Sequence, residues 1–291
     1  MKVAVASGKG GTGKTTVAAS LAAVWKRPLV AVDLDVEEPN LHLFLQPEIQ
    51  GEQKAFMEVP VADESKCNAC RACADFCQFK AISVLGDVLM VFPEMCHGCG
   101  GCLALCPENA LTPGRRELGD IRWGATGTIG FLMGRLRVGE AMSPPLMRQV
   151  KDRLNAMLQR RPADGIIDAP PGVSCPAVHA VMDADVIVLV TEPTPFGLFD
   201  LRLAYEAFLP LGKPMGIVIN RAGLGDGAVN DFCRSKHLPV WAEIPFSRDI
   251  ATAYADSRIV AQVSPALQSV FVALADHILT AHSAAREVQH A

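Results

Sequence analysis

The sequence has no surplus of positive charge: 27 lysines and arginines stand against 31 acidic residues, for a formal net charge of −4. No global basic field therefore draws the chain to nucleic acid or to anionic lipid. No apolar run reaches the ~18 residues that a membrane-crossing helix needs. Met1-Lys2 leads directly into a short apolar strand and not into a signal peptide. The stretch from Ala275 to Ala291 carries few basic residues and no basic amphipathic face of the kind that holds a helix on lipid. The expected location is the cytoplasm, with no nucleic acid and no membrane as partner. One local exception is the group Arg115, Arg116, Arg122, Arg135 and Arg137, which a solvated face or an acidic protein partner would explain.

Cysteine, by contrast, is plentiful. Eight of the 10 cysteines fall in two runs, Cys67, Cys70, Cys73, Cys77 and Cys96, Cys99, Cys102, Cys106. Each run has the spacing C-x2-C-x2-C-x3-C, and the second repeats the first at an offset of 29 residues. Disulfides are not expected in a reducing compartment, and such regular spacing points to metal. Thiolates at this spacing wrap one face of a cubane, while the fourth reaches the neighbouring cluster. By that rule Cys67, Cys70, Cys73 and Cys106 hold one [4Fe–4S] cluster, and Cys96, Cys99, Cys102 and Cys77 hold the other. Zinc is the competing reading, because C-x2-C pairs also build zinc sites. Both runs resemble those of two-cluster bacterial ferredoxins, with one departure: Cys106 precedes Pro107, as that pattern expects, but Cys77 precedes Gln78. The repeat extends beyond the ligands, Ala81 matching Ala110 and Ile82 matching Leu111. Between the runs, Ile82 to Val91 reads as a hairpin turning at Gly86-Asp87.

Near the N-terminus, Gly8-Lys9-Gly10-Gly11-Thr12-Gly13-Lys14-Thr15 fits G-x-x-x-x-G-K-[ST]. Glycines there let backbone N–H groups converge on anionic oxygens at a helix N-terminus. Lys14 is expected at the β- and γ-phosphates, Thr15 on Mg²⁺ through its hydroxyl, and Thr16 in the same turn. Lys2 to Ala6 reads as a strand, Lys14 to Trp25 as a helix and Leu29 to Val32 as a second strand. Strand, glycine-rich loop, helix, strand opens a sheet with parallel strands. Further strands are expected at Gly165 to Asp168, Asp185 to Val190, Met215 to Asn220 and Pro239 to Ile244, with a last helix from Pro265 to about Ala281. Gly124 to Gly139 is glycine-rich and includes turns, and Pro144 to Arg160 reads as a helix.

With Lys9, the loop resembles the deviant Walker A loop of the MinD/ParA superfamily, which includes the nitrogenase iron protein and the Mrp-type cluster carriers. The resemblance implies that Lys9 contacts phosphate across an ATP-sandwich dimer, homodimeric or formed with a similar ATPase. It implies a first switch at Asp33-Leu34-Asp35 with Asn40-Leu41, where Asp35 orients or deprotonates the attacking water and Asp33 lies near the metal. Ile166 to Gly172 resembles the Walker B and second switch, with Asp168 in the Mg²⁺ shell. Asn220-Arg221 and Ile244-Pro245 resemble the adenine-contacting positions. Cys175, seven residues past Asp168, lies where the nitrogenase iron protein carries a cluster ligand, although a small buried cysteine opening a helix is the competing reading.

The expected architecture is α/β: a mostly parallel P-loop NTPase sheet flanked by helices, with a small α+β ferredoxin-like domain inserted. The ATPase domain spans 1–58 and 114–291, and the insert 59–113. The cofactors are ATP, Mg²⁺ and two [4Fe–4S] clusters. Three functions follow from this combination: ATP-gated electron transfer to a redox partner protein, an iron–sulfur scaffold or carrier, and a redox-sensing positioning ATPase. The closed set of eight cysteines favours the first.

Overall fold

Short runs of β-branched and small apolar residues, buried on both faces, build the centre of the sheet, as parallel strands require. The structure, a computed structural model, describes residues Met1 to His290. In chain order it contains β1 (Lys2–Ala6), α1 (Lys14–Val24), β2 (Leu29–Asp33), α2 (Leu41–Leu45), β3 (Glu48–Ala62), α3 (Ala72–Phe76), β4 (Ile82–Leu85) and β5 (Val88–Val91). There follow α4 (Gly101–Leu105), β6 (Leu111–Thr126), β7 (Ile129–Leu136), α5 (Ser143–Arg160), β8 (Asp164–Asp168), α6 (Cys175–Val181) and β9 (Val186–Thr191). The chain ends with α7 (Pro195–Phe208), β10 (Met215–Ala222), α8 (Ala228–Ser235), β11 (Val240–Pro245), α9 (Arg248–Ala255) and α10 (Pro265–His290). None of the described helices is long and apolar enough to cross a membrane.

Nine strands form one sheet in the order β11-β10-β9-β1-β8-β2-β7-β6-β3. The neighbours from β11 to β7 all run parallel. This is the expected fold class. The register aligns Asp33 of β2 with Asp168 of β8, so two carboxylates stand at the C-terminal ends of adjacent central strands.

The chain divides into two units, one of Met1–Glu52, Ile121–Arg135 and Met147 onward, the other of Gln53–Asp120 and Leu136–Leu146. In the first, Val3 and Val5 of β1 and Val17 and Leu21 of α1 share a core with Phe271, Leu274 and Ile278 of α10. Burying each such side chain stabilises by roughly 1.5–3 kcal/mol. In the second, a small core of Cys73, Ala74, Ile82, Val84, Leu89, Cys102 and Leu111 lies among the cysteine runs. β4 and β5 pair antiparallel with Leu85 opposite Val88. That leaves Gly86-Asp87 as the two-residue turn, with Gly86 left-handed at φ 61°.

Two findings depart from the sequence reading and one extends it. Gly124 to Gly139 includes the expected turns, at Gly127 (φ 56°) and Gly139 (φ 84°), and is otherwise mostly strand, the end of β6 and all of β7. The last helix continues past Ala281 to His290. The arginine group is largely satisfied within the chain: Arg116 is buried against Glu140 at 3.0 Å and bonds the Pro93 carbonyl. Arg137 grips both oxygens of Glu94, and Arg122 pairs with Glu52 at 2.9 Å.

Candidate functional site

The glycine-rich loop connects β1 to α1 and turns at Gly13, whose φ of 94° is left-handed. A Cβ there would stand 2.4 Å from Asn220 Nδ2, so backbone angle and crowding both require glycine. Asn220 uses the space: its Nδ2 donates to the Thr12 carbonyl at 2.8 Å and ties the end of β10 to the loop. Gly8 is crowded too, since a Cβ would fall 2.0 Å from the Asp200 carbonyl oxygen in α7. The first turn of α1 carries amides without an intrahelical acceptor, the general basis of phosphate binding at a helix N-terminus.

A cavity of about 430 Å³ opens here. Gly10, Gly11, Gly13, Lys14, Thr15 and Thr16 line one part of it, and Asp35, Asn220 and Pro245 line another. Asn40, Pro171 and Arg221 line it as well, so the structure brings together twelve of the residues singled out from the sequence. Gly8, Lys9, Thr12, Asp33 and Asp168 are not part of the lining. Six lining residues carried no sequence expectation: Glu38, Phe246, Ser247, Ile250, Ala251 and Tyr254. Phe246 lies between β11 and Ser247, which caps α9 by accepting from the Asp249 amide, and Tyr254 lies in the last turn of α9. A lone aromatic in a short helix carries no periodic signal, so composition could not flag them.

Asp168 is buried at the end of β8. Its Oδ2 accepts from Thr15 Oγ1 at 2.6 Å, while its Oδ1 is buried with no hydrogen-bond partner among the described residues. Burial pushes its carboxyl up to about 7, against the pull of the Thr15 bond and of Lys14. An orphaned buried carboxylate oxygen beside a threonine hydroxyl fits a hard cation; Thr15 and Asp168 are the residues that would hold Mg²⁺.

Asp33 is differently employed. Its Oδ1 accepts from the Asp35 amide at 3.0 Å and its Oδ2 from the Leu41 amide at 2.9 Å, so it organises the loop between β2 and α2. Burial and the nearby Asp168 charge hold its carboxyl well above the ordinary range, against the pull of the amides. Asp35 lines the cavity, and burial raises it to about 6, with Lys14 opposing.

Lys9 is engaged within the chain. Its Nζ lies 3.5 Å from Glu192 Oε2, and the other oxygen of Glu192 pairs with Arg221 at 2.8 Å. Glu192 follows the buried strand β9, and no pattern in the sequence marks it. Cys175 is the exposed first residue of α6, and Cys233 is buried in α8.

The cysteine runs repeat in geometry as well as in spacing. Ala69 and Gly98, Arg71 and Gly100, and Lys80 and Asn109 form three pairs 29 residues apart, and all six have positive φ between 50° and 71°. The Ala81 amide donates to Cys77 Sγ at 3.3 Å, and the Ala110 amide to Cys106 Sγ at 3.2 Å. One hollow, of about 220 Å³, is lined by Cys77, Cys96, Cys99 and Cys102. A narrower one, of about 10 Å³, is lined by Cys67, Cys70, Cys73 and Cys106. Each therefore takes three thiols from one run and the fourth from the other. The donor set, four thiols per hollow with amides already directed at three sulfurs (Cys77, Cys96 and Cys106), fits the [4Fe–4S] assignment. Among the described residues, no three His, Cys, Asp or Glu side chains converge tightly enough to hold a single ion. Burial raises Cys102 to about 11 and lifts Cys73 as well, with neighbouring cysteines adding to both.

Residues 3–260 match the family described as the CobQ/CobB/MinD/ParA nucleotide binding domain. The chain is 31% identical over 288 residues to an uncharacterised protein of Methanocaldococcus jannaschii, MJ0578, covering 96% of this chain and 98% of that one. A stretch of 25 residues is 60% identical to the polyferredoxin protein FwdG of the same organism, covering 9% of this chain and 30% of that one. Among solved structures, the septum site-determining protein MinD of Pyrococcus horikoshii OT3, complexed with Mg-ADP, superposes with a TM-score of 0.60. Its identity is 19% and the coverage is 95% of each chain, a likeness of fold alone. The chain belongs to the CobQ/CobB/MinD/ParA nucleotide-binding family.

Proposed function

We propose that this member of the CobQ/CobB/MinD/ParA family binds and hydrolyses Mg-ATP and couples its nucleotide state to electron transfer, through two [4Fe–4S] clusters, to a partner protein. The observation that carries the reading is the crossing of the cysteine runs: each quartet surrounding a hollow is the one that two-cluster ferredoxin spacing assigns to a single cluster. Bound there, the clusters would supply one-electron storage, and Mg²⁺ would neutralise phosphate charge.

The chain's own groups divide the rest of the work. The loop amides and Lys14 bind phosphate, Thr15 and Asp168 hold the metal, and Asp33 fixes the loop that presents Asp35. Asp35, raised to about 6, suits a group that orients a water and accepts its proton near neutrality. Phe246 and Tyr254 offer apolar walls for a purine. Replacing Asp35 by Asn is expected to lower ATP turnover by roughly 10²–10⁴-fold with nucleotide affinity retained. Equal turnover in wild type and variant removes Asp35 from the chemistry. Lys9 would reach phosphate across a dimer with a second copy or a similar ATPase, and the cytoplasm is the proposed location.

The nucleotide loop and the cysteine region are joined by contiguous chain. α2, whose first amide is held by Asp33, is followed within three residues by β3, which continues to Ala62, just before the first cysteine run. On this proposal, movement of the switch loop is passed along the chain to the strand leading to the clusters.

A second reading, cluster delivery, is favoured by one observation: Cys70 and Cys99, one ligand of each quartet, are exposed. Anaerobic protein reconstituted with iron and sulfide distinguishes the two. Redox gating predicts iron and acid-labile sulfide in equal amounts and midpoint potentials that shift with a non-hydrolysable ATP analogue. Nucleotide-insensitive potentials with ready transfer to an apo-acceptor favour delivery. Zinc in place of iron sinks both.

A further inference from the structure

The 29-residue repeat is broken at two positions that lie together. Asn68 and His97 each follow the first cysteine of a run, and Phe79 and Glu108 each lie two residues past the fourth. Because the fourth cysteine serves the other run's hollow, each hollow is flanked by one residue of each kind. Beside the first, Asn68 Nδ2 donates to Glu108 Oε1 at 2.9 Å, and Asn68 Oδ1 accepts from the Cys70 amide at 3.1 Å. Beside the second, the same positions hold a His97–Phe79 stack, ring centroids 3.5 Å apart and planes 6° from parallel. One flank is an amide holding a carboxylate; the other is a flat aromatic pair.

We infer that, on the reading that each quartet holds a [4Fe–4S] cluster, this exchange makes the two centres electronically inequivalent, so that electrons supplied singly occupy one before the other. Cluster potentials respond to nearby charge, to hydrogen bonds on sulfur and to solvent access. At the first centre, an electron is added beside the Glu108 carboxylate, whose charge opposes reduction. At the second, the stacked rings take that place and lay apolar surface along the rim, while Glu58 of β3 lines the hollow elsewhere. Glu108 is exposed, so its Coulomb effect is screened, while the ring pair acts through water exclusion. The two flanks thus act by different physical means, each on its own quartet.

The test is an anaerobic titration of the full chain, reconstituted with iron and sulfide and reduced with dithionite at one fixed pH, with cluster signals read by electron paramagnetic resonance. Two one-electron couples are expected, separated by at least tenfold in reduction equilibrium, about 59 mV. Glu108→Gln is expected to raise one midpoint and leave the other in place. Phe79→Ala, which admits water, is expected to raise the other. Asn68→His combined with Glu108→Phe gives both centres the aromatic flank and is expected to bring the couples together. A single unresolved wave in the native protein, common shifts of both couples, or an unchanged separation in the exchanged variant each overturns the inference. Protein that takes up no iron and sulfide overturns it together with the reading beneath it, a failure distinct from the others.

Discussion

At the scale of single residues, burial separates three aspartates that the sequence presents alike. Asp33 spends both oxygens on backbone amides, Asp35 faces the cavity, and Asp168 keeps one oxygen unpaired. The Asp168 carboxyl is raised from 3.8 to about 7, so the folded protein holds its proton more tightly than the unfolded chain. The sign follows from linkage: metal-free stability falls as pH rises from about 4 to about 7, where the unfolded state has already lost that proton. Asp183, lowered by its bond to Lys151, has the opposite sign, but its contribution is lost only below pH 3.8. Metal-free, nucleotide-free protein is therefore expected to melt lower at pH 8 than at pH 6. Asp168→Asn should raise the melting temperature at pH 8 and reduce that slope, and Mg-nucleotide should recover more stability at pH 8 than at pH 6. A wild-type melting temperature that climbs between pH 6 and pH 8 would contradict the assignment.

Glu192 supports a second prediction at this scale. It is nearly buried while its partners Lys9 and Arg221 are partly solvated, so losing its charge frees two cations that water can receive. For Lys9 to reach a second copy it must leave Glu192. Partly exposed pairs hold up to ~1 kcal/mol, about fivefold in an equilibrium constant. Glu192→Gln is expected to lower, by that factor, the ATP concentration at which sedimentation detects dimer. An unchanged concentration means the pair does not restrain Lys9.

At the scale of elements, glycine serves close packing as well as turns. Gly124 lies where a Cβ would be 2.0 Å from the Glu48 carbonyl oxygen, and Gly51 where a Cβ would meet the Trp123 ring at 2.3 Å. These are sites of close approach between neighbours, a known use of glycine within strands, and only Gly127 marks the turn itself. β7 is consequently part of the core: Phe131 is fully buried and registers opposite Ala31 of β2. Phe131→Ala is expected to cost about 3–5 kcal/mol in a denaturant titration, whereas a turn residue would cost almost nothing.

Legibility followed burial on two faces. β1, β2, β8 and β9 read clearly because nearly every residue in them is buried. β3 did not, because its first seven residues are almost all exposed and its charges are paired, as in Lys54 with Glu117 and Asp120. In the candidate site, the loop from Gly8 to Thr16 was legible from glycine spacing. Glu192, Phe246 and Tyr254 were not, since tertiary structure alone brings them to Lys9 and to the cavity.

At the scale of the molecule, what matters is which thiols share a centre, and sequence distance is a poor guide to it. Cys73 and Cys77 are four residues apart but line different hollows, while Cys73 and Cys106 are 33 apart and line the same one. The duplicated backbone accounts for this: α3 and α4 are matched short helices, and each ends on a cysteine that caps it in extended conformation, Cys77 and Cys106. If the hollows hold separate clusters, ligand loss should group across the runs. Cys73→Ser and Cys106→Ser are each expected to lose about half the iron and the same paramagnetic signal, with nucleotide affinity unchanged because the lining of the nucleotide cavity contains no cysteine. Cys77→Ser should instead resemble Cys102→Ser, and Cys73→Ser combined with Cys77→Ser should remove both signals. Were Cys73→Ser and Cys77→Ser to erase the same signal and leave the other intact, each run would hold its own metal. Zinc-type pairing within a run would then replace the crossed arrangement on which electron transfer depends.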